Sequence, residues 1–379
     1  VTTAIRVQLV ESLAALAPHA DAWTALLERA APGRGFYYRP EALAAMAPIH
    51  APPRHTGGRR SPFLLLAWRG EALVGALPLV LEQKPLHKIG LRRLLLWGGD
   101  GSAMGFEGEL PLAGHDTERL ATCRALRDAL AGPLAGRFHR LELGYLRGDS
   151  PALPALRATF ADGAWSDEPL VSHHAELADG LEAWRATRRS GRLRELGRLR
   201  RRLEAAHTVH MHETAELSPA ELAAVMALHG GRQATLAGRG WQREAVFTRA
   251  GYGPALEALL AWAGATGRAR HRLLYANGEL ICFLLAFVEG NTMLAWLTAV
   301  HDDYTAYGPG GLLFREAVER EAALGAVSRV EFGPGTTFVK DTMGTHQLVP
   351  QRLTWTAPTL VARVRVGLWE QLRNRRGAA

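Results

Sequence analysis

One succession of elements occurs twice in this 379-residue chain. Leu64-Leu65-Leu66-Ala67-Trp68-Arg69-Gly70-Glu71-Ala72-Leu73-Val74 sets an apolar run, a turn ending in Gly, a Glu and a second apolar run. Arg272-Leu273-Leu274-Tyr275-Ala276-Asn277-Gly278-Glu279-Leu280-Ile281-Cys282 repeats that order. Asn277-Gly278 predicts a type I′ hairpin, because both turn positions need positive φ. Further on, Arg140-Leu141-Glu142-Leu143-Gly144 reappears as Arg329-Val330-Glu331-Phe332-Gly333. Each copy follows an amphipathic helix. Thr117 to Leu130 carries Leu120, Cys123, Leu126 and Leu130 on one face. Gly311 to Leu324 carries Leu313, Phe314, Ala317 and Val318, with Gly325 placed to cap its end. Each half therefore reads hairpin, strand, helix, strand, which predicts a duplicated α/β unit with a mixed sheet flanked by helices.

The boundary is expected near Ser150 to Pro169, where Pro151, Pro154 and Asp162-Gly163 punctuate the chain. That gives domains over 1–160 and 161–379. The second opens with a strand over Pro169 to Ala175 and a long helix over Asp179 to Ala206. Ser218-Pro219-Ala220-Glu221 predicts a capped helix start. A further helix is expected over Trp241 to Gly264, strands over Thr292 to Val300 and Arg352 to Thr356, and a terminal helix over Thr359 to Arg373. A hydrophobic fraction of 47% supplies two cores. The longest strongly apolar run, Leu280 to Val288, is far short of the roughly 20 residues that span a bilayer. Val1 to Val10 lacks a secretory pattern. Cys123 and Cys282 read as buried free thiols, and a cytoplasmic location is expected.

The sharpest local feature is Tyr307-Gly308-Pro309-Gly310-Gly311-Leu312-Leu313. It follows an expected strand and opens an expected helix. Such a junction leaves backbone N–H groups unpaired at the positive end of a helix dipole, which suits a phosphate or pyrophosphate. The plain alternative is a tight turn before a helix. In the first half the corresponding turn, Pro111-Leu112-Ala113-Gly114-His115, has no Gly-Pro-Gly.

The loop and its surroundings resemble the GNAT acyltransferase superfamily. More narrowly they resemble the bacterial branch of cellulose-biosynthesis-associated acetyltransferase-like proteins, related to the FemABX peptidyl transferases. Tyr307, Gly308, Pro309, Gly310 and Leu312 match that branch's acyl-CoA loop. Glu331, Phe332, Gly333 and Lys340 match its next strand. The wider superfamily begins its loop with Gln or Arg where this chain has Thr305. The resemblance implies tandem GNAT-like domains of which the first is a degenerate support. It implies direct transfer of an acyl group from acetyl-CoA or another acyl-CoA to an amine or hydroxyl. The acceptor would be a small metabolite, a sugar or a cell-envelope precursor. Gly308 to Leu312 with Tyr307 would hold the pyrophosphate, and Leu297 and Thr298 on the preceding strand would face the acyl carbonyl. Glu331, His301, Asp303, Tyr304 and Tyr307 are candidates for proton transfer. Glu331 comes first for its place beside the loop, against the reading that it anchors a strand end as Glu142 does. Lys340 would hold a substrate phosphate or carboxylate, or is a solvated loop lysine.

A net charge of +8 is concentrated between Arg185 and Arg202, where nine arginines meet one acid, Glu195. Leu193, Leu196, Leu199 and Leu203 share one helical face, leaving a basic surface opposite. That surface suits nucleotide-sugar phosphates, tRNA or an anionic membrane at the inner face of the cell, or is a solvated helix face. An aminoacyl-tRNA-dependent transferase and a non-catalytic polysaccharide-assembly or interaction protein are the competing functions. On the terminal helix, Val361, Val364, Leu368 and Leu372 line one face beside basic residues. His207, His210 and His212 lack a companion ligand at useful spacing, so no metal is expected. Gly251-Tyr252-Gly253-Pro254-Ala255-Leu256 lacks the last Gly of a dinucleotide fingerprint. Ser102 misses the spacing of a nucleophile elbow.

Overall fold

The computed structural model describes residues 4–52, 58–85, 89–99, 108–188, 190–241, 245–249, 251–335 and 337–377; Ser102 and Arg189 lie outside them. The chain divides into two units, Val1–Pro169 with Val349–Ala379, and Leu170–Leu348.

The first unit holds strands β1 (Ile5–Val10), β2 (Arg59–Arg69), β3 (Ala72–Gln83), β4 (Arg92–Leu96), β5 (Arg140–Leu146) and β6 (Ala164–Asp167). Its helices are α1 (Leu13–Leu16), α2 (Ala20–Ala30), α3 (Pro40–His50), α4 (Asp116–Ala131) and α5 (Leu153–Thr159). The second unit holds β7 (Ser172–Glu176), β8 (Val209–Thr214), β9 (His271–Ala276), β10 (Glu279–Glu289), β11 (Thr292–Val300), β12 (Arg329–Pro334) and β13 (His346–Leu348). Its helices are α6 (Gly180–Thr187), α7 (Ser190–Ala206), α8 (Pro219–Gly238), α9 (Tyr252–Ala265), α10 (Pro309–Leu324) and α11 (Phe338–Met343). Strand β14 (Gln351–Thr356) and helix α12 (Leu360–Gly377) return to the first unit.

The two sheets have one topology. The first runs β1-β2-β3-β4-β5-β14-β6 and the second β8-β9-β10-β11-β12-β7-β13. Every neighbouring pair is antiparallel except β4–β5 and β11–β12. A parallel pair needs a crossover, and α4 and α10 supply it. The strand before the last is β14 in the first sheet, which follows the whole second unit in the chain, and β7 in the second, which opens that unit. Residues 349–379, expected to close the second domain, therefore belong with the first, because β14 is laddered to β5 and β6.

Alternation along the strands gives each sheet its core. In the first unit Trp23, Leu26 and Leu43 cover one face, while Leu126, Phe160 and Trp355 pack on Leu141 and Leu143. In the second unit Trp184, Leu196, Leu203, Leu313 and Phe314 pack over Ile281, Cys282 and Leu284. Both cysteines are buried and unbridged, and burial pushes each thiol up to about 12.

Three expected elements differ. The helix expected over Asp179 to Ala206 breaks after Thr187, where Thr187 Oγ1 donates to Trp184 O and Arg188, in extended backbone, donates to Gly344 O. The helix expected from Trp241 starts at Tyr252, behind Gly251 at φ 80°. A short 3-10 helix, Asp302–Tyr307, stands between β11 and Gly308. Among the described residues no helix is long and apolar enough to cross a membrane.

Helix α10 is pinned to the sheet by a buried charge. Arg272 on β9 is fully buried, and its Nη2 lies 2.7 Å from Glu321 and 2.9 Å from Glu213. Removing one partner leaves a buried cation under-compensated. Glu321→Ala is expected to cost about 3 kcal/mol in denaturant unfolding, with Glu213 limiting the loss. A change below about 1 kcal/mol would mean that Glu213 alone satisfies Arg272.

Candidate active site

The second sheet opens at its centre. β11 is the fourth of seven strands, yet it pairs with β12 only through Thr292–Arg329, Met293–Val330 and Leu294–Glu331. Beyond Leu294 the two strands part. Trp296 and Leu297 are half-buried and Thr298 is exposed, whereas β10 alongside is buried from Leu280 to Phe287. A crevice beyond the ends of parallel strands, with a helix N-terminus beside it, is where open α/β sheets take ligands. In the first unit β4 and β5 also share three pairs, but Gly108 bridges to Leu146 beyond them.

The loop after β11 is built by local rules. Gly308 adopts φ 61° and ψ 40°, its N–H donates to Thr305 O at 3.0 Å, and Pro309 takes the first helical position. Leu312 N donates back to Gly308 O at 3.2 Å. Gly310 and Gly311 are left as first-turn donors without an intrahelical acceptor. The glycines also have a packing role that the sequence did not suggest. A Cβ on Gly308 would lie 3.1 Å from Leu199 Cδ1, one on Gly310 3.2 Å from Val300 Cγ2, and one on Gly311 2.8 Å from Leu196 Cδ2. Helix α7 and the end of β11 thus press on the turn.

Downstream of β11, His301, Tyr304 and Tyr307 come together. His301 N donates to Ile281 O at 2.8 Å, which sets this segment beside the start of β10. Tyr304 Oη donates to Glu279 Oε2 at 3.2 Å, and His301 Nε2 lies 3.5 Å from Glu279 Oε1. Asp303 N donates to His301 Nδ1 at 3.4 Å, so the neutral ring carries its proton on Nε2, toward Glu279. Partial burial, then the hydrogen bond to Glu279, raise the Tyr304 phenol above its ordinary value and keep it protonated. His207 packs on Tyr304 and Tyr307 at 5.2 and 5.4 Å, and Arg202 lies 5.4 Å over the Tyr307 ring. Glu279 and His301 border a cavity of about 430 Å³ whose other wall is Ala224, Ala227, Leu228 and Gly231 of α8. Arg232 and Asp302 pair across its rim.

The remaining candidates lie elsewhere. Glu331 sits where β11 and β12 part, with its Oε1 3.5 Å from Arg329 Nε. Glu142 holds the matching position with Arg140 at 3.1 Å. Lys340 Nζ donates to Gly333 O at 3.1 Å and Pro334 O at 2.7 Å, tying α11 to the end of β12. Leu297 is paired with Leu285, and Thr298 Oγ1 donates to Phe283 O at 2.6 Å. His212 is 3.3 Å from Glu221, and among the described residues no group of three His, Cys, Asp or Glu could hold a metal ion. Sequence reading missed Glu279, which looked like part of a hairpin turn. It also missed His174, whose cross-strand neighbours are Glu331 and His346.

The arginines of α6 and α7 are more occupied than the local sequence implied. Arg185 pairs with Glu182 and Glu319, Arg198 with Glu195, and Arg200 with Glu204 and Glu316. Glu316 and Glu319 come from α10, far away in sequence.

This sheet order is the GNAT-like fold, present here in two units, and the splayed parallel pair and glycine turn belong to the second. Residues 190–341 match the family model described as "Acetyltransferase (GNAT) domain". Solved structures share the fold at low identity. A conserved protein of unknown function from Bacteroides thetaiotaomicron is 8% identical, covers 93% of this chain and 100% of its own, and has a TM-score of 0.52. FemX is 10% identical, covers 78% of this chain and 88% of its own, and has a TM-score of 0.51. The C-terminal domain of a putative lysylphosphatidylglycerol synthetase from Agrobacterium fabrum is 11% identical, covers 93% and 95%, and has a TM-score of 0.51. No curated protein matches the sequence.

Proposed function

We propose that the second unit transfers an acyl group, acetyl in the simplest case, from an acyl-CoA to an amine or hydroxyl of a small acceptor. The observation that carries this reading is the gap beyond Leu294 and Glu331, beside the Gly308–Gly311 turn, inside the segment that matches the acetyltransferase model. Gly310 and Gly311 would hold the donor's pyrophosphate, and the unladdered side of Ala295–Val300 would offer N–H groups to the acyl carbonyl. The thioester supplies the activated acyl group. Glu279 would take the proton from the acceptor nitrogen or oxygen as that atom bonds to the acyl carbon. Tyr304 would give a proton to the sulfur as the carbon–sulfur bond breaks. His301 would position Glu279. Glu279 is preferred to Glu331 because Arg329 already stabilises the Glu331 carboxylate. The first unit would serve as a support, and the narrower branch read from the Tyr307–Leu312 motif belongs to this proposal.

The tRNA and membrane readings of α7 draw less support, since Arg185, Arg198 and Arg200 are already paired with carboxylates. Calorimetry with acetyl-CoA tests the donor site. The wild type is expected to bind, and Gly310→Trp to lose at least tenfold in affinity; because a Cβ there already presses on Val300, the unfolding midpoint is measured beside the affinity. Absence of binding to the wild type would remove the CoA assignment. Salt-sensitive binding of charged tRNA instead would favour that donor.

A further inference from the structure

A second cavity, of about 280 Å³, lies between α7, α10 and strands β8 and β9, away from Glu279 and His301. Its floor is apolar, formed by Leu196, Leu203, Leu274, Leu312, Val209 and Met211. A packed interior leaves few voids larger than a water molecule, so a hollow of this size beneath a helix is a place for a ligand. The rim is charged and uneven. Arg200 is held by Glu204 and Glu316, and Arg315 by Glu319. Arg201, also on the rim, makes no ion pair among the described residues. Gly197 lines the mouth in the middle of α7, where glycine is a poor helix former. A Cβ there would meet only Arg315 Nη1 at 3.6 Å and Arg201 Nη1 at 3.8 Å. The glycine therefore leaves the mouth open without being required by backbone geometry.

We propose that this cavity binds a single hydrocarbon chain bearing one anionic head group, the chain on the leucine and methionine floor and the head on Arg201. An apolar floor takes the chain by burial of its surface, and a guanidinium with no carboxylate partner suits a carboxylate or phosphate head. The site also gives the basic helix a role that its paired arginines do not.

Calorimetry of the full chain with decanoate, below its micelle concentration, tests the site. Saturable binding of one molecule per chain is expected, weaker by about tenfold for decanol, which lacks the charge. Arg201→Glu is expected to weaken decanoate by at least about tenfold. Gly197→Leu should fill the mouth and abolish binding while leaving the unfolding midpoint unchanged or higher, because leucine is the better helix former. No saturable binding to the wild type, or undiminished binding to Gly197→Leu, overturns the proposal. So does flotation with phosphatidylglycerol vesicles in the absence of decanoate binding, which would make this a membrane-facing surface rather than a single-chain site.

Discussion

Glu279→Gln is expected to lower the turnover of acyl transfer by about 10²–10⁴-fold while leaving donor affinity unchanged. The amide keeps the shape, and its oxygen can still accept from Tyr304, but its NH2 cannot accept from His301 Nε2 and the group cannot take up a proton from the acceptor. The expectation rests on geometry. The hairpin Asn277-Gly278 ends at Glu279, with φ of 53° and 84° at the two turn residues, so this carboxylate stands at a fixed strand end. The antiparallel register Cys282–Val300 brings His301 alongside it, and Tyr304 follows one short helical turn later. Tyr304→Phe should reduce turnover less, since water can also protonate a thiolate. The first unit contains its own control. Glu71 follows Gly70 in the matching hairpin and borders a cavity of about 450 Å³ with Arg69, Ala22 and Ala25. That lining includes no His or Tyr, and Glu71→Gln should leave turnover unaltered. Single-turnover kinetics beside donor calorimetry would decide. Equal turnover for wild type and Glu279→Gln would return the role of base to another group.

The parts of this architecture written in local pattern were legible. Positive φ at Asn277 and Gly278, the reciprocal bonds of Ser218 and Glu221, and the left-handed cap at Gly325 each follow from a few adjacent residues. What was not legible depends on residues far apart. Nothing in Gln351–Thr356 says that it inserts between β5 and β6, because strand partner choice is a property of the assembled sheet. The loop glycines looked like room left for a ligand. Part of that room is taken by Leu196 and Leu199, more than a hundred residues earlier. His301 and Tyr304 could be named from their place after a strand, but their partner Glu279 could not be named without the β10–β11 register. The arginine run looked unopposed for the same reason, since Glu316 and Glu319 reach it from another helix.

The second unit is expected to lose on the order of 6 kcal/mol of stability as pH falls from 6.5 to 4, about 3 kcal/mol for each of two histidines. His229 on α8 and His271 on β9 are buried, and burial lowers both to about 4 from an ordinary 6.5. His271 accepts from Ala286 N at 3.4 Å through Nδ1 and lies edge-on to Phe287, so its neutral ring fits where a charged one does not. His229 packs edge-on to Phe247. Above pH 6.5 neither folded nor unfolded chain protonates these rings, and their contribution is intact. Between 6.5 and 4 the unfolded chain binds protons that the folded chain refuses, so stability falls with pH and the loss is complete below about 4. Domains of this size hold only about 5–15 kcal/mol, so the second unit should be near its unfolding limit at the acid end. Denaturant midpoints from pH 7 to 4.5 would measure the slope. His229→Leu with His271→Leu removes both proton sites while keeping the apolar surroundings, and should flatten it. If the double variant keeps the wild-type slope, acid sensitivity must come from other groups of the unit: His173, which burial also lowers, or the carboxylates, with Glu221 foremost, because its bonds to Ser218 hold its carboxyl below the ordinary value.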